Sequence, residues 1–502
     1  MEGLVIQVEC DISDGLPSFE MVGFLAAQVR EAKERVRTAL RNSGFYFPPK
    51  RVTVNLSPAY VRKEGTAFDL PIAAAILGAL GYLDATALEQ IMIIGELSLN
   101  GAVLPVNGCL SLVGAARRAG FARCYLPEAN AKEGAVVDGI ETAAVASLKE
   151  LCDCCNHPEY ARLEWVDPEA ILREYREEYS EDFSEVNGQL ALKRAAEVAA
   201  AGLHNMLCIG PPGSGKTMIA QRIPTIMPRL TLEESIEITK IYSVCGQLPP
   251  DSPLIGRRPC RAPHHTISAP ALVGGGLYPR PGEISLADKG VLFLDELPEF
   301  PRPALEALRQ PMEERQAVIS RLGGACVYPA DTMVVAAMNP CPCGYYPDTE
   351  KCRCSQREIA RYLAKVSGPL LDRMDICMEA APLTYEDLSA SSKNESSAEI
   401  RVRIEGARKI QWERFSGSGI LYNSRMKGRQ IHEFCRLSGA DETFLQEVFE
   451  RMGYSARSYY KVLRVARTIA DLEGEREIKR PHLCEAIGYR TIDRTYWRRS
   501  AF

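Results

Sequence analysis

Short apolar runs bounded by Gly, Pro or charged residues recur along this chain, and their lengths separate strands from helices. Val52-Thr-Val-Asn-Leu56, Ile91-Met-Ile-Ile94 and Cys124-Tyr-Leu126 have strand length. Leu70 to Gly81, rich in Ala, and Leu110 to Ala119 have helix length. Together they predict an α+β domain over residues 1–151. Met206–Ile209, Val291–Leu294 and Met333–Met338 are apolar throughout, the mark of strands buried on both faces of a parallel sheet. They alternate with the helical stretches Leu190 to Gly202 and Met218 to Ile226, so 186–380 is predicted as an α/β domain with a doubly wound parallel sheet. Ile404 to Phe415 and Ser458 to Leu472 keep helical spacing, and 381–502 is predicted helical. Residues 152–185 differ: 159–185 hold ten acidic and three basic residues, with Pro158 and Pro168 interrupting. That pattern predicts a linker or a solvated helix. Cys152, Cys154 and Cys155 at its start form a Cys-rich turn or, with His157, a metal cluster.

A length of 502 residues suits about three domains, each with its own core. A net charge of −5 excludes a globally basic nucleic-acid coat but leaves room for a local basic channel. Residues 401–502 are such a region, with 21 Lys or Arg against 13 Asp or Glu. Leu70 to Leu83, the longest stretch without a charge near the N-terminus, is too short to span a bilayer. Glu2 and Glu9 stand where a cleavable signal would be basic and then apolar. The 17 Cys, many inside apolar runs, do not form a disulfide framework. A cytoplasmic protein without membrane contact is expected.

Chemistry concentrates after Ile209. Gly210-Pro211-Pro212-Gly213-Ser214-Gly215-Lys216-Thr217 matches a phosphate-binding loop between a predicted strand and a predicted helix. Its glycines allow the tight turn, and its backbone N–H groups and helix N-terminus attract phosphate oxygens. Lys216 supplies the cation for the β- and γ-phosphates of ATP, and the Thr217 hydroxyl a ligand for Mg²⁺. The run Val291–Leu294 ends in Asp295-Glu296, 78 residues after Thr217. Asp295 would hold Mg²⁺ and Glu296 would polarise the attacking water. Met333–Met338 ends in Asn339, followed by Cys341-Pro-Cys343 and, eight residues on, Cys352-Arg-Cys354. Two thiol pairs at that spacing can reach one structural Zn²⁺ and pin a loop beside Asn339; four unrelated thiols are the alternative. A Gly/Pro-rich stretch holds His264 and His265, either metal ligands or polar loop residues. Residues 314–329 read as a β-hairpin with Arg321 near its tip.

Two resemblances add to this. Lys63-Glu-Gly-Thr-Ala-Phe-Asp-Leu-Pro71, Gly95-Glu-Leu97 and Gly101-Ala-Val-Leu-Pro-Val106 resemble the proteolytic domain of Lon-type proteases. Matching the motifs puts Ala67 in place of the Ser nucleophile and Leu110 in place of the Lys base, so the resemblance implies a Lon-like domain without peptidase chemistry. Ser57 and Lys63 lie nearby, with no spacing that favours their pairing. Asp182 to Gln189 resembles the segment flanking adenine in AAA+ ATPases. By that resemblance Asn339 is a first sensor, and Gly368-Pro-Leu-Leu-Asp-Arg-Met-Asp-Ile376 carries an arginine finger, Arg373, acting on a neighbouring subunit. A surface Arg paired to Asp372 or Asp375 is the plainer reading. Tyr454 to Arg457 resembles the second-sensor region of a helical lid, with Arg457 on the γ-phosphate and Arg464 and Arg467 in packing or interface roles.

Nearly the whole chain resembles the ComM/YifB family of magnesium-chelatase-like AAA+ ATPases, departing at the N-terminus, where the stretch expected to form a first strand is lacking. The resemblance implies a homo-hexameric ring that uses ATP and Mg²⁺ to drive branch migration of DNA in recombination during natural transformation. DNA would be gripped by Arg321, His264 and His265. A magnesium-chelatase motor subunit acting toward a porphyrin is a rival, disfavoured by the Lon-like domain and the four Cys. An ATP-dependent protease is disfavoured by Ala67 and Leu110, and a protein remodeller stays open.

Overall fold

The wholly apolar runs form the middle of one sheet in the computed structural model, which describes residues 3–175, 179–249, 252–276, 279–321, 324–382, 385, 394–492 and 496–497. The strand order is Cys260–Arg261, Val291–Leu294, Met333–Met338, Met206–Ile209, Ile376–Glu379. All neighbours are parallel. Every residue of the three inner strands is buried, which explains why none of them alternates. Met206–Ile209 comes first in sequence yet sits between Met333–Met338 and Ile376–Glu379. Its carboxyl end therefore opens at the point where the connections diverge, the place where such sheets bind ligands.

By compactness the chain divides into two units, one of residues 1–175 with 231–256 and one of 176–230 with 257–502. In the second unit the helical C-terminal part shares a core with the sheet. Ile400, Ile404, Ala466 and Ile469 pack in one cluster with Val198, Ile219 and Val335. The helix Ala456–Leu472 lies on Ser397–Arg414 and Leu190–Gly202. A buried ionic knot reinforces this: Asp331, just before strand Met333–Met338, accepts from Arg425 at 2.7 Å and faces Lys289 at 3.4 Å. Burial works against that carboxylate, but Arg425, Lys289 and Arg315 hold it down to about 2.

In the first unit, Arg51–Ser57 is the middle strand of three, antiparallel to Gln7–Ser13 and parallel to Ser18–Val22. A second sheet runs Ile91–Ile93, Arg123–Pro127, Glu141–Val145, Arg162–Glu164. The segment expected as a linker contributes to this unit as far as Tyr175. Leu148–Asn156 is a helix whose Leu148, Leu151, Cys152 and Cys155 recur at i, i+3, i+4 and i+7 and are buried. Cys152, Cys154 and Cys155 are therefore core residues on a helix rather than a turn, and burial pushes the Cys155 thiol up to about 12.

The helix Leu232–Cys245 lies in sequence between two elements of the parallel sheet unit, yet it packs in the first unit. Thr231 and Glu234 close a capping box at its start, and Gly246 ends it in the left-handed conformation. Its seat is a buried carboxylate. Glu133 accepts from the Leu110 N–H at 2.8 Å, from Asn130 Nδ2 at 3.1 Å, and from the Ser243 hydroxyl on that helix. Leu110, Val136, Leu172 and Leu254 form an apolar cluster beside it. Three donors on one carboxylate offset much of the cost of its burial.

Candidate active site

The strand Met206–Ile209 delivers the chain to Gly210, whose N–H donates to the Met338 carbonyl of the neighbouring strand. A Cβ at Gly210 would lie 2.6 Å from the Ala380 carbonyl oxygen, so a side chain has no room there. Gly213 and Gly215 have φ of 75° and 80°, which releases the turn into helix Lys216–Ile226. Lys216 is 7% exposed, and its ammonium donates to the carbonyls of Gly210 and Pro211, both at 2.8 Å. It also lies 3.5 Å from Asn339 Oδ1. Burial lowers the Lys216 ammonium below its ordinary value, with Asp295 opposing the shift. A cation desolvated in this way gains strongly from a polyanion.

The acids expected at the end of Val291–Leu294 arrive at the same place. Thr217 Oγ1 donates to Asp295 Oδ2 at 2.8 Å. A hydroxyl and a carboxylate side by side, next to a phosphate loop, fit the oxygen donor set that Mg²⁺ takes with a nucleotide. Glu296 has φ of 52°, a left-handed conformation that costs a non-Gly residue roughly 1–2 kcal/mol. Its N–H donates to Asp295 Oδ1 at 2.9 Å. Strain of this kind clusters at functional sites. The turn brings Glu296 Oε2 within 3.3 Å of His265 Nδ1.

That contact was not legible in the sequence, which placed His264 and His265 together in a loop gripping DNA. The rings of the two histidines are 4.1 Å apart, and His264 Nδ1 is 2.9 Å from Thr266 Oγ1, but His265 is turned to Glu296. The signal that could have found it is positional: the pair follows strand Cys260–Arg261 at its carboxyl end, on the ligand side of the sheet. A cavity of about 390 Å³ adjoins the site, lined by Glu296, Asn339, Pro342, Arg361, Tyr362 and Lys365 among others. Nothing in the sequence marked its far wall.

Other site residues expected from the sequence fall in varied places. Arg373 is neither loose on the surface nor paired to Asp372 or Asp375. Its guanidinium donates to the carbonyls of Arg309 at 2.9 Å and Pro369 at 2.6 Å, and pairs with Glu313. Asp375 instead faces His204 at 3.6 Å and Arg464 at 4.0 Å. Arg457 stands exposed on the first turn of Ala456–Leu472. Arg464 and Arg467 are packing residues: the first donates to the Ser424 carbonyl at 3.0 Å, and the second pairs with Asp471 at 3.1 Å. Gln316–Arg321 and Gly324–Pro329 form the expected hairpin. Leu322, Gly323 and the side chain of Arg321 lie outside the described residues.

Cys341, Cys343, Cys352 and Cys354 converge, all four sulfurs within 4.8 Å of one another. In the first unit, the Lon-like motif is a structural hub. Asp69, fully buried, accepts from Arg35 at 2.7 and 2.9 Å and from the Leu97 N–H at 3.3 Å. Thr66 donates to Glu96. Lys63, 1% exposed, donates to the Pro58 carbonyl. Leu110 is locked in its apolar cluster.

Family comparisons cover most of this architecture. A family model described as magnesium chelatase, subunit ChlI, matches residues 182–388. Two further models of the same subunit match residues 8–130 and, at its C-terminal part, 394–490. Competence protein ComM of Haemophilus influenzae is 42% identical over 98% of this chain and 95% of its own. The chain belongs to the ComM/YifB family of magnesium-chelatase-like AAA+ proteins. A second member, the uncharacterized protein YifB of Escherichia coli, is 41% identical over 97% of this chain and 94% of its own. Membership in this AAA+ family implies ATPase activity, with ATP and Mg²⁺ as the cofactors. The archaeal Lon protease of Methanocaldococcus jannaschii is 33% identical over 102 residues, 20% of this chain and 15% of that protein. Among the described residues no helix is long and apolar enough to cross a membrane.

Proposed function

We propose that this protein is an ATP-hydrolysing, homo-hexameric ring motor that works on DNA, driving branch migration or unwinding in recombination during natural transformation in the cytoplasm. The observation that carries the reading is the meeting of Thr217 with Asp295 and of Lys216 with Asn339 at the carboxyl end of one parallel sheet. Gly210 to Thr217 would hold the triphosphate, and Thr217 and Asp295 would hold Mg²⁺, which would supply positive charge against the phosphates. Glu296 takes up the proton of the attacking water while Asn339 orients that water. Arg457 reaches the γ-phosphate from the helical part, and Arg373 serves a neighbouring subunit. The DNA part of the reading is supported by the competence role in the name of the Haemophilus relative and by the basic balance of residues 401–502.

The deciding experiment is ATP turnover of the purified protein with and without branched DNA, across a salt series. Turnover should rise with branched DNA, and binding should weaken steeply with salt, because local Lys and Arg near Arg321, His264 and His265 must supply the affinity. Turnover indifferent to any DNA would defeat the DNA assignment and favour a protein remodeller.

A companion expectation concerns the first unit. Ala67 and the buried Leu110 cannot supply a nucleophile and a base, so ATP should support no degradation of casein. Degradation that disappears in Ser57→Ala would place a peptidase site where none is expected.

A further inference from the structure

We infer that the loop Cys341–Cys354 binds one Zn²⁺ through its four cysteines, and that the ion sets the position of Asn339 and of the phosphate loop, controlling hydrolysis rather than nucleotide binding. The metal half stands by itself, while the kinetic half rests on the ATPase reading above.

The donor set comes first. Cys341 Sγ lies 3.4 Å from Cys343 Sγ and 3.7 Å from Cys352 Sγ, and Cys343 Sγ lies 3.6 Å from Cys352 Sγ. Four sulfurs bound tetrahedrally to zinc sit about 3.8 Å apart, given Zn–S bonds of about 2.3 Å. A disulfide would need about 2.05 Å. One sulfur also receives a backbone donor: the Tyr346 N–H points to Cys341 Sγ at 3.4 Å. Donors of this kind stabilise thiolates and orient metal ligands. Cys341 is fully buried and its three partners are half-buried, so the cluster faces partly into the protein.

Its position comes second. The loop joins strand Met333–Met338, which ends in Asn339, to helix Gln356–Leu363, which Ser355 and Glu358 start with a capping box. Gly344, at φ of 87°, lies so close to the phosphate loop that a Cβ there would be 2.6 Å from Pro212 Cδ and 3.8 Å from Asn339 Cγ. Pro342, between the first two cysteines, lines the cavity that Glu296 and Asn339 also line. Tyr362, on the following helix, lines the same cavity. A tetrathiolate ion would therefore fix, through one short loop, the sensor amide, the second proline of the phosphate loop and a wall of the catalytic cavity. Lys216 and the loop N–H groups that hold phosphate belong to the strand–helix unit of the sheet and do not need the ion.

Elemental analysis of the full-length protein, washed with a mild chelator, should find one zinc per chain, and Co²⁺ in its place should give the visible absorption of a tetrahedral thiolate site. Cys352→Ser should lose the metal and lower kcat by about tenfold or more. Its affinity for a non-hydrolysable ATP analogue should change by less than about threefold. Cys484→Ser, at an exposed thiol on helix Arg480–Gly488, should change neither. Should Cys352→Ser not fold, stripping zinc from the wild-type protein with a strong chelator and restoring it should lower and recover kcat in step. Zinc well below one per chain would overturn the site. Full metal release with kcat unchanged, or with analogue affinity lost in parallel, would overturn the positioning role. A wild-type protein without ATPase activity would instead refute the ATPase reading, while metal analysis would still decide the site.

Discussion

Glu296→Gln should bind ATP as tightly as the wild-type protein and turn it over at least about 10²-fold more slowly. Binding persists because its determinants lie elsewhere. The Lys216 ammonium, the Gly210–Gly215 turn and the Thr217–Asp295 pair are untouched by an amide in place of one carboxylate oxygen. Turnover falls because an amide cannot accept the proton of the attacking water. Lys216→Ala should behave in the opposite way, losing affinity because the desolvated cation facing the phosphates is gone. Fluorescent-nucleotide titration and phosphate release on both variants separate the two effects. Hydrolysis by Glu296→Gln at a rate near wild type would remove Glu296 from the mechanism.

Arg373→Ala should lower turnover by about 10³-fold, the scale of arginine fingers acting in trans. Mixing it with Lys216→Ala should restore part of the activity, because each variant can complete the other's interface. The structure sharpens this experiment by showing the arginine engaged within its own subunit, on two backbone carbonyls and Glu313. A finger must exchange those partners for a neighbour's phosphate, so the ring state and the free subunit should differ at this ion pair. If Arg373 were only a packing residue, Arg373→Ala would lower the melting temperature while each folded subunit kept its turnover. The mixture would then gain nothing.

What the sequence revealed about this site, and what it hid, divides by distance along the chain. The phosphate loop was legible because eight consecutive residues carry it, with an apolar strand before and a helix after. Asp295 and Asn339 were legible because each ends a wholly apolar strand, and strands buried on both faces announce their ends by the first polar residue. The four cysteines were legible because thiols paired two apart are rare enough to suggest a common purpose. The partners of Arg373 and Glu296 were not, because Glu313 and His265 belong to other elements and only packing selects them. The place of helix Leu232–Cys245 was hidden for the same reason: its amphipathic pattern says that it packs, not on which core. The buried face of Leu148–Asn156 was present in the spacing, but the acidic residues around it dominated the reading.

Glu133 and the helix it receives have a consequence for modular inheritance. A domain that recombines freely between genes is one continuous stretch of chain, but this first unit is not. A fragment ending at Tyr175 would keep Glu133 while losing Ser243, and would keep Leu110 and Val136 while losing Leu254. It would face water with a carboxylate short of one of its three donors, beside an uncovered apolar surface. The Lon-like segment therefore cannot be traded for another without also exchanging a helix encoded within the nucleotide-binding region, and substitutions in the two segments are bound to drift together.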